Sequence, residues 1–113
     1  MPSNLNFFER VHEVAKQIPY GRVTSYGAIA SYLGTAKSAR TVGWAMSASN
    51  NDDTIPAHRV VNSKGILTGK NHFEGRNLMQ QLLESEGIRI TNFQIKDFDQ
   101  VFWDPTLELR VQT

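Results

Sequence analysis

Thr24–Ser47, TSYGAIASYLGTAKSARTVGWAMS, reads as two short helices joined at a glycine. Thr24 or Ser25 can cap the first helix, because a hydroxyl oxygen accepts one of the backbone N–H groups that a helix start leaves unpaired. That helix carries Ile29, Ala30 and Leu33, and Gly34 supplies the left-handed residue that ends it. Ser38 can cap a second helix running to about Ser47, with Ala39, Val42, Gly43 and Met46 on one face. The small residues on that face permit close approach to a neighbour. The lengths and the glycine joint are those of a helix-turn-helix, in which the later helix reads a groove.

Working outward, Phe7, Phe8, Val11, Val14, Ala15 and Ile18 fall at helical spacing, and Pro19 with Gly21 ends the pattern. Downstream of the polar stretch Asn50–Asp53, the stretches Arg59–Val61 and Ile66–Leu67 flank Asn62-Ser63-Lys64-Gly65, which predicts a small hairpin, a wing. A further helix is expected from about Phe73 or Gly75 to Glu86, with Leu78, Met79, Leu82 and Leu83 inward and Gly87 at its end. Ile88, Ile90, Phe93 and Ile95 then alternate like one short strand. Val101, Phe102, Trp103 and Pro105 are expected to pack back on the body. The fold class expected is mainly α with a small β hairpin, winged helix-turn-helix-like.

At 113 residues the chain is long enough for one domain, 1–113, with a core that needs neither disulfides nor a metal. It has no cysteine, which excludes a disulfide framework and any thiolate metal site. His12, His58 and His72 show no ligand spacing, so no metal and no cofactor are expected. The amino terminus lacks the basic and apolar regions of a signal peptide, and no apolar run approaches membrane-spanning length. A cytoplasmic monomer without membrane contact is the expectation.

The formal net charge is only +1, but it is unevenly spread. Lys16 to Arg76 holds eight Lys and Arg against Asp52, Asp53 and Glu74, a local excess of +5. From Asn77 onward three basic residues face six acidic ones. An anionic partner would prefer the middle.

Ile55-Pro56-Ala57-His58-Arg59-Val60-Val61 connects that middle to chemistry. Together with Ile18-Pro19-Tyr20-Gly21-Arg22-Val23-Thr24-Ser25-Tyr26-Gly27, Ala39-Arg40-Thr41-Val42-Gly43, Asn62-Ser63-Lys64-Gly65 and Leu82-Leu83-Glu84-Ser85-Glu86-Gly87, it resembles the DNA-binding domain of the O6-alkylguanine-DNA alkyltransferases. The chain is more similar still to the alkyltransferase-like proteins, in which the alkyl-accepting cysteine is replaced. Here Ala57 stands at that position. A methyl group offers no lone pair to take an alkyl group, so the resemblance implies recognition without transfer.

The resemblance also implies roles for individual residues. Arg40 matches an arginine finger that enters the base stack through the minor groove and fills the gap left by a flipped nucleotide. Tyr26 matches a tyrosine that meets the flipped base or its 3′ phosphate. Ala57 and Val60 match pocket positions where main-chain groups read the guanine edge. Lys70, in a loop slightly longer than that of true alkyltransferases, aligns with a basic residue that contacts the lesion, and Ser49 replaces an asparagine that braces the pocket. Lys37 and Lys64 are candidates for phosphate contact. His58 and Glu86 match the relay that activates the cysteine, and with nothing to activate they are expected to be structural.

The implied partner is duplex DNA containing O6-alkylguanine, and the implied outcome is a lesion marked for nucleotide excision repair proteins. Two alternatives stand beside this. One is a helix-turn-helix transcription regulator, and the other is an active alkyltransferase whose cysteine was changed to alanine.

Overall fold

The computed structural model describes residues 6–34, 39–49, 52–75 and 77–109. Helix α1, Phe7–Ala15, starts at a reciprocal cap: the Asn6 side chain accepts from the Glu9 N–H at 2.9 Å, and the Glu9 carboxylate accepts from the Asn6 N–H at 3.0 Å. Its buried face, Val11, Val14 and Ala15, packs towards α3. Strand β1, Thr24–Ser25, leads directly into α2, Tyr26–Tyr32. Ser25 is the cap, its hydroxyl accepting from the Ala28 N–H at 3.0 Å, and Gly34 adopts φ +61° beyond the helix end. Helix α3, Ala39–Ser47, buries Val42, Ala45 and Met46. Lys37 and Ser38 lie outside the described residues.

Helices α1 to α3 enclose one apolar cluster with Ile18, Ile55, Val60 and Trp103. A second cluster gathers Val23, Val61, Leu67, Met79, Leu83, Ile88 and Ile95. The partition runs through β2, Val60–Val61, where successive side chains point to opposite faces and so enter different clusters.

The expected hairpin across Asn62–Gly65 needs correction. β2 pairs in parallel with β1, Thr24 opposite Val60 and Ser25 opposite Val61, rather than folding back on Ile66–Leu67. The reversal itself is present: the Asn62 side chain accepts from the Lys64 and Ile66 N–H groups at 2.9 and 2.8 Å, and Gly65 takes φ +79°. Turn chemistry is local and readable, whereas parallel pairing joins segments far apart in sequence. The antiparallel hairpin lies later, between β3, Ile90–Thr91, and β4, Gln94–Ile95. Asn92 and Phe93 both have positive φ at its turn, so the single strand expected over Ile88–Ile95 is folded in two. The Asn62–Gly65 turn docks on this hairpin, with the Ile95 N–H donating to the Gly65 carbonyl at 2.9 Å.

Helix α4, Leu78–Ser85, is shorter than expected, because Phe73 is extended before it. Gly87 has φ +88° after it. Two short helices follow, α5, Phe98–Val101, and α6, Pro105–Glu108. The tail packs as read: Trp103 is 3% exposed, Pro105 is buried, and the Trp103 N–H donates to the Val23 carbonyl at 2.7 Å. Arg22 secures the same junction by donating to the Val101 and Phe102 carbonyls at 3.1 and 2.6 Å. The architecture is mainly helical with small sheets, the fold class expected.

Because Ser25 both caps α2 and aligns β1 with β2, Ser25→Ala should cost about 1 kcal/mol of stability. Urea denaturation monitored by circular dichroism measures this, and an unchanged midpoint would show that the cap is dispensable.

Candidate nucleic-acid interface

A cavity of about 480 Å³ opens between α2, α3 and the Thr68–Phe73 loop. Tyr26 enters it from the first turn of α2, and Arg40 and Trp44 from successive turns of α3. Ala57 contributes to its wall from a 3-10 turn, Ala57–Arg59. The structure thus brings together Tyr26, Arg40 and Ala57 from three separate segments. Arg40 is exposed at the rim, where it can reach a ligand outside the protein.

Tyr26 is held firmly. Burial pushes its phenol pKa up, while a hydrogen bond with the Thr68 side chain works in the other direction, and the net effect keeps the hydroxyl protonated at neutral pH. Gly69 fits beneath that hydroxyl, since a Cβ at residue 69 would lie 2.9 Å from Tyr26 Oη.

Ala57 is placed by its neighbours. The Glu86 carboxylate accepts from His58 Nε2 at 2.7 Å, from Arg59 Nη2 at 2.8 Å and from the Gly21 N–H at 2.7 Å. Arg59 also donates to the Ile18 carbonyl at 2.9 Å, and its guanidinium lies 5.8 Å from the Tyr20 ring centre. Burial works to raise the Glu86 pKa, but the hydrogen bonds from Arg59, Gly21 and His58 outweigh it and hold the carboxyl below its ordinary 4.5. Burial lowers the His58 pKa below its ordinary 6.5, overcoming the opposing pull of Glu86. A carboxylate can only accept, so Nε2 of the neutral imidazole carries the proton in this contact.

Other expected residues fall elsewhere. The Val60 side chain is fully buried in the first cluster and does not line the cavity, so the role that the resemblance implies for Val60 falls to its main-chain groups alone. Lys70 is also outside the wall; its ammonium sits 4.9 Å from the Phe93 ring centre, and Thr68 and Gly69 line the cavity in its place. Lys64 is exposed in the Asn62–Gly65 turn, away from the cavity lining. Lys37 lies outside the described residues.

Sequence reasoning missed Trp44, Phe73, Thr68 and Gly69. Trp44 had a usable signal, since it stands four residues after Arg40 and therefore on the same helix face. Its indole is 58% exposed, an unusual position for so large an apolar group. Phe73 gave no such signal, because it reads equally well as a helix start. The Arg59 fork on Glu86 was also missed, as it joins residues 27 apart in sequence.

Among the described residues, no three His, Cys, Asp or Glu converge as metal ligands, and no helix is long and apolar enough to cross a membrane.

A model of the 6-O-methylguanine DNA methyltransferase DNA-binding domain matches residues 6–88. Alkyltransferase-like protein 1 of Schizosaccharomyces pombe is 33% identical over 103 residues, covering 88% of this chain and 95% of that protein. The chain belongs to the alkyltransferase-like family. A crystal structure of the S. pombe protein in complex with damaged DNA containing O6-carboxymethylguanine superposes with a TM-score of 0.75 at 34% identity, over 88% of this chain and 95% of that one. The DNA base-flipping protein of Escherichia coli is 32% identical over 101 residues, covering 88% of this chain and 75% of that protein. This member of the family has no cysteine in its sequence.

Gly69→Ala should weaken ligand binding by displacing Tyr26 while leaving the fold intact, because Gly69 has φ −86° and backbone strain is not at issue. A change in binding without a change in thermal midpoint is the expected pair of results.

Both His58 and Glu86 have folded-state pKa values lowered from 6.5 and 4.5, so the unfolded chain binds more protons in the acid range. Stability contributed by His58 is present above pH 6.5 and declines below it, and that contributed by Glu86 is present above 4.5 and lost at lower pH. Urea midpoints measured from pH 7.5 to 4 should therefore fall, and His58→Gln should reduce the fall near pH 6. Identical profiles for the two proteins would remove His58 from this role.

Proposed function

We propose that this protein recognises O6-alkylguanine in duplex DNA by minor-groove binding and base flipping, performs no alkyl transfer, and marks the lesion for nucleotide excision repair. The observation that carries this reading is the cavity where Tyr26, Arg40 and Ala57 meet in a chain without cysteine. Its volume lies within the range of small-molecule sites, which suits one extruded nucleobase. The S. pombe relative's complex with O6-carboxymethylguanine DNA and the base-flipping activity named for the E. coli relative support the choice of ligand.

In this reading α3 enters the minor groove, Arg40 occupies the gap in the stack, and Tyr26 contacts the rotated nucleotide. Guanidinium suits that gap because it is planar, permanently charged and able to donate to the orphaned base. Ala57 then faces the O6 substituent, and a methyl group leaves that carbon untouched. The protein's output is a displayed lesion on deformed DNA, bound by one copy of the chain, which repair proteins can engage. Lys64 and Lys37 would contact phosphates.

Incubation with O6-methylguanine duplex should leave the intact mass unchanged, and the gain of one methyl group would overturn the reading. Arg40→Ala should weaken lesion binding by about 1–3 kcal/mol, the scale of a stacking contact, and reduce discrimination against undamaged duplex. Fluorescence anisotropy with matched duplexes measures both. Equal affinity of the wild-type protein for damaged and undamaged DNA would favour a helix-turn-helix regulator instead.

A further inference from the structure

Among the described residues, the large apolar side chains left exposed are Tyr20 at 69%, Trp44 at 58% and Leu107 at 58%. Tyr20 is engaged, since its hydroxyl donates to the Ser85 carbonyl at 2.9 Å and the Arg59 guanidinium lies over its ring. Leu107 belongs to the short helix α6 and does not line the lesion cavity. Trp44 differs from both. It stands in the cavity wall and shares the exposed face of α3 with Arg40, one turn earlier.

The surroundings of Trp44 select the kind of group it meets. Ala39 and Gly43, in the same wall, have almost no side chain, so Arg40 and Trp44 are the long, exposed side chains that project from this part of α3. No Asp or Glu occurs between Glu13 and Asp52, an interval that holds Lys16, Arg22, Lys37 and Arg40. Helices α2 and α3 therefore present no carboxylate of their own to a polyanion. An aromatic face beside a cation, with no acid on either helix, is the combination that holds nucleobases by stacking and their backbone by charge.

We propose that Trp44 is a second stack-opening residue, inserting its indole from the minor groove at the base step next to the gap that Arg40 occupies. The inference rests on the proposed placement of α3 in that groove, and it names the residue that holds the flanking duplex open. Four residues of α-helix rise about 6 Å, and successive bases on one strand are about 3.4 Å apart. With α3 running along the groove, Arg40 and Trp44 are thus offset by roughly one to two base steps. Arg40 takes the place of the missing nucleobase, and the indole covers the face of a neighbouring pair that the bend uncovers. Apolar wedges placed in this way unstack a step and kink the duplex towards the major groove. No bond forms or breaks.

The test uses the full chain and duplexes carrying guanine or O6-methylguanine at one position. Trp44 is one of two tryptophans and Trp103 is only 3% exposed, so the emission that acrylamide quenches belongs to Trp44. Binding of the lesion duplex should remove that quenching. 2-Aminopurine placed two base pairs from the lesion, on one side, should change its emission when the wild type binds and not when Trp44→Ala binds. Trp44→Ala should weaken binding about tenfold, the scale of one lost stacking contact, with an unchanged thermal midpoint, and Trp44→Phe should recover most of the loss. The ratio of lesion to normal affinity should stay at the wild-type value, because the flanking pairs are the same in both duplexes. Trp44 emission that remains quenchable in the complex, or a 2-aminopurine response that survives Trp44→Ala, overturns the wedge. A loss of discrimination as large as that of Arg40→Ala would put the indole on the lesion itself, and loss of quenching at high protein concentration without DNA would put it between copies of the chain; either result overturns the wedge. Failure of the wild type to distinguish O6-methylguanine from guanine overturns the lesion reading instead, and acrylamide protection on normal duplex then decides the wedge separately.

Discussion

The Glu86 carboxylate is the constraint on which the site depends. It receives hydrogen bonds from the end of the Pro19–Gly21 turn, from His58 and from Arg59, and it does so from the C-terminal cap of α4. Its side chain is only 5% exposed, so an ionised oxygen here would be costly without those donors. Each donor belongs to a segment that must be positioned for the cavity to exist. The Ala57–Arg59 turn is thereby fixed relative to α4 and to the chain entering β1. An arrangement of this kind needs no nucleophile, which is why it can persist where residue 57 is alanine.

The short parallel pair between β1 and β2 extends the same fixation into the two cores. Val60 and Val61 are both fully buried, yet they serve different clusters. A shift of one residue in this register would exchange those clusters and rotate the adjoining turn. Ala57 is three residues upstream, and Tyr26 begins at the next residue after β1. The strand pair thus sets the distance between the two sides of the cavity.

The cavity wall combines a rigid part with an accessible one. Tyr26 is packed against Gly69 and hydrogen-bonded with Thr68, whereas Arg40 and Trp44 are exposed on one face of α3. Rigid placement suits a group that must meet a nucleotide at one angle, and exposure suits groups that must reach into a groove. Trp44 adds an aromatic face beside the arginine. Stacking on an aromatic face tolerates any base, so under the proposed function specificity would rest on the enclosed side of the cavity.

Helices α1 to α4, the Ser25 cap, the glycine ends at Gly34 and Gly87 and the turn at Asn62–Gly65 were determined by the sequence itself, because periodicity, capping and turn chemistry act over a few residues, whereas Tyr26, Arg40 and Ala57 were singled out only by the family resemblance. The contact between His58 and Glu86 was legible only through family resemblance, since nothing local links residues 28 apart. Tertiary structure decided the rest. Strand pairing placed Val60–Val61 beside Thr24–Ser25, and left-handed backbone at Asn92 and Phe93 folded one apparent strand into a hairpin. Packing sent Phe73 to the cavity, kept Lys70 out of its wall beside Phe93, and placed the Val60 side chain in the first core cluster. These outcomes depend on which distant surfaces meet, and burial of apolar area is non-directional until the whole chain is in place.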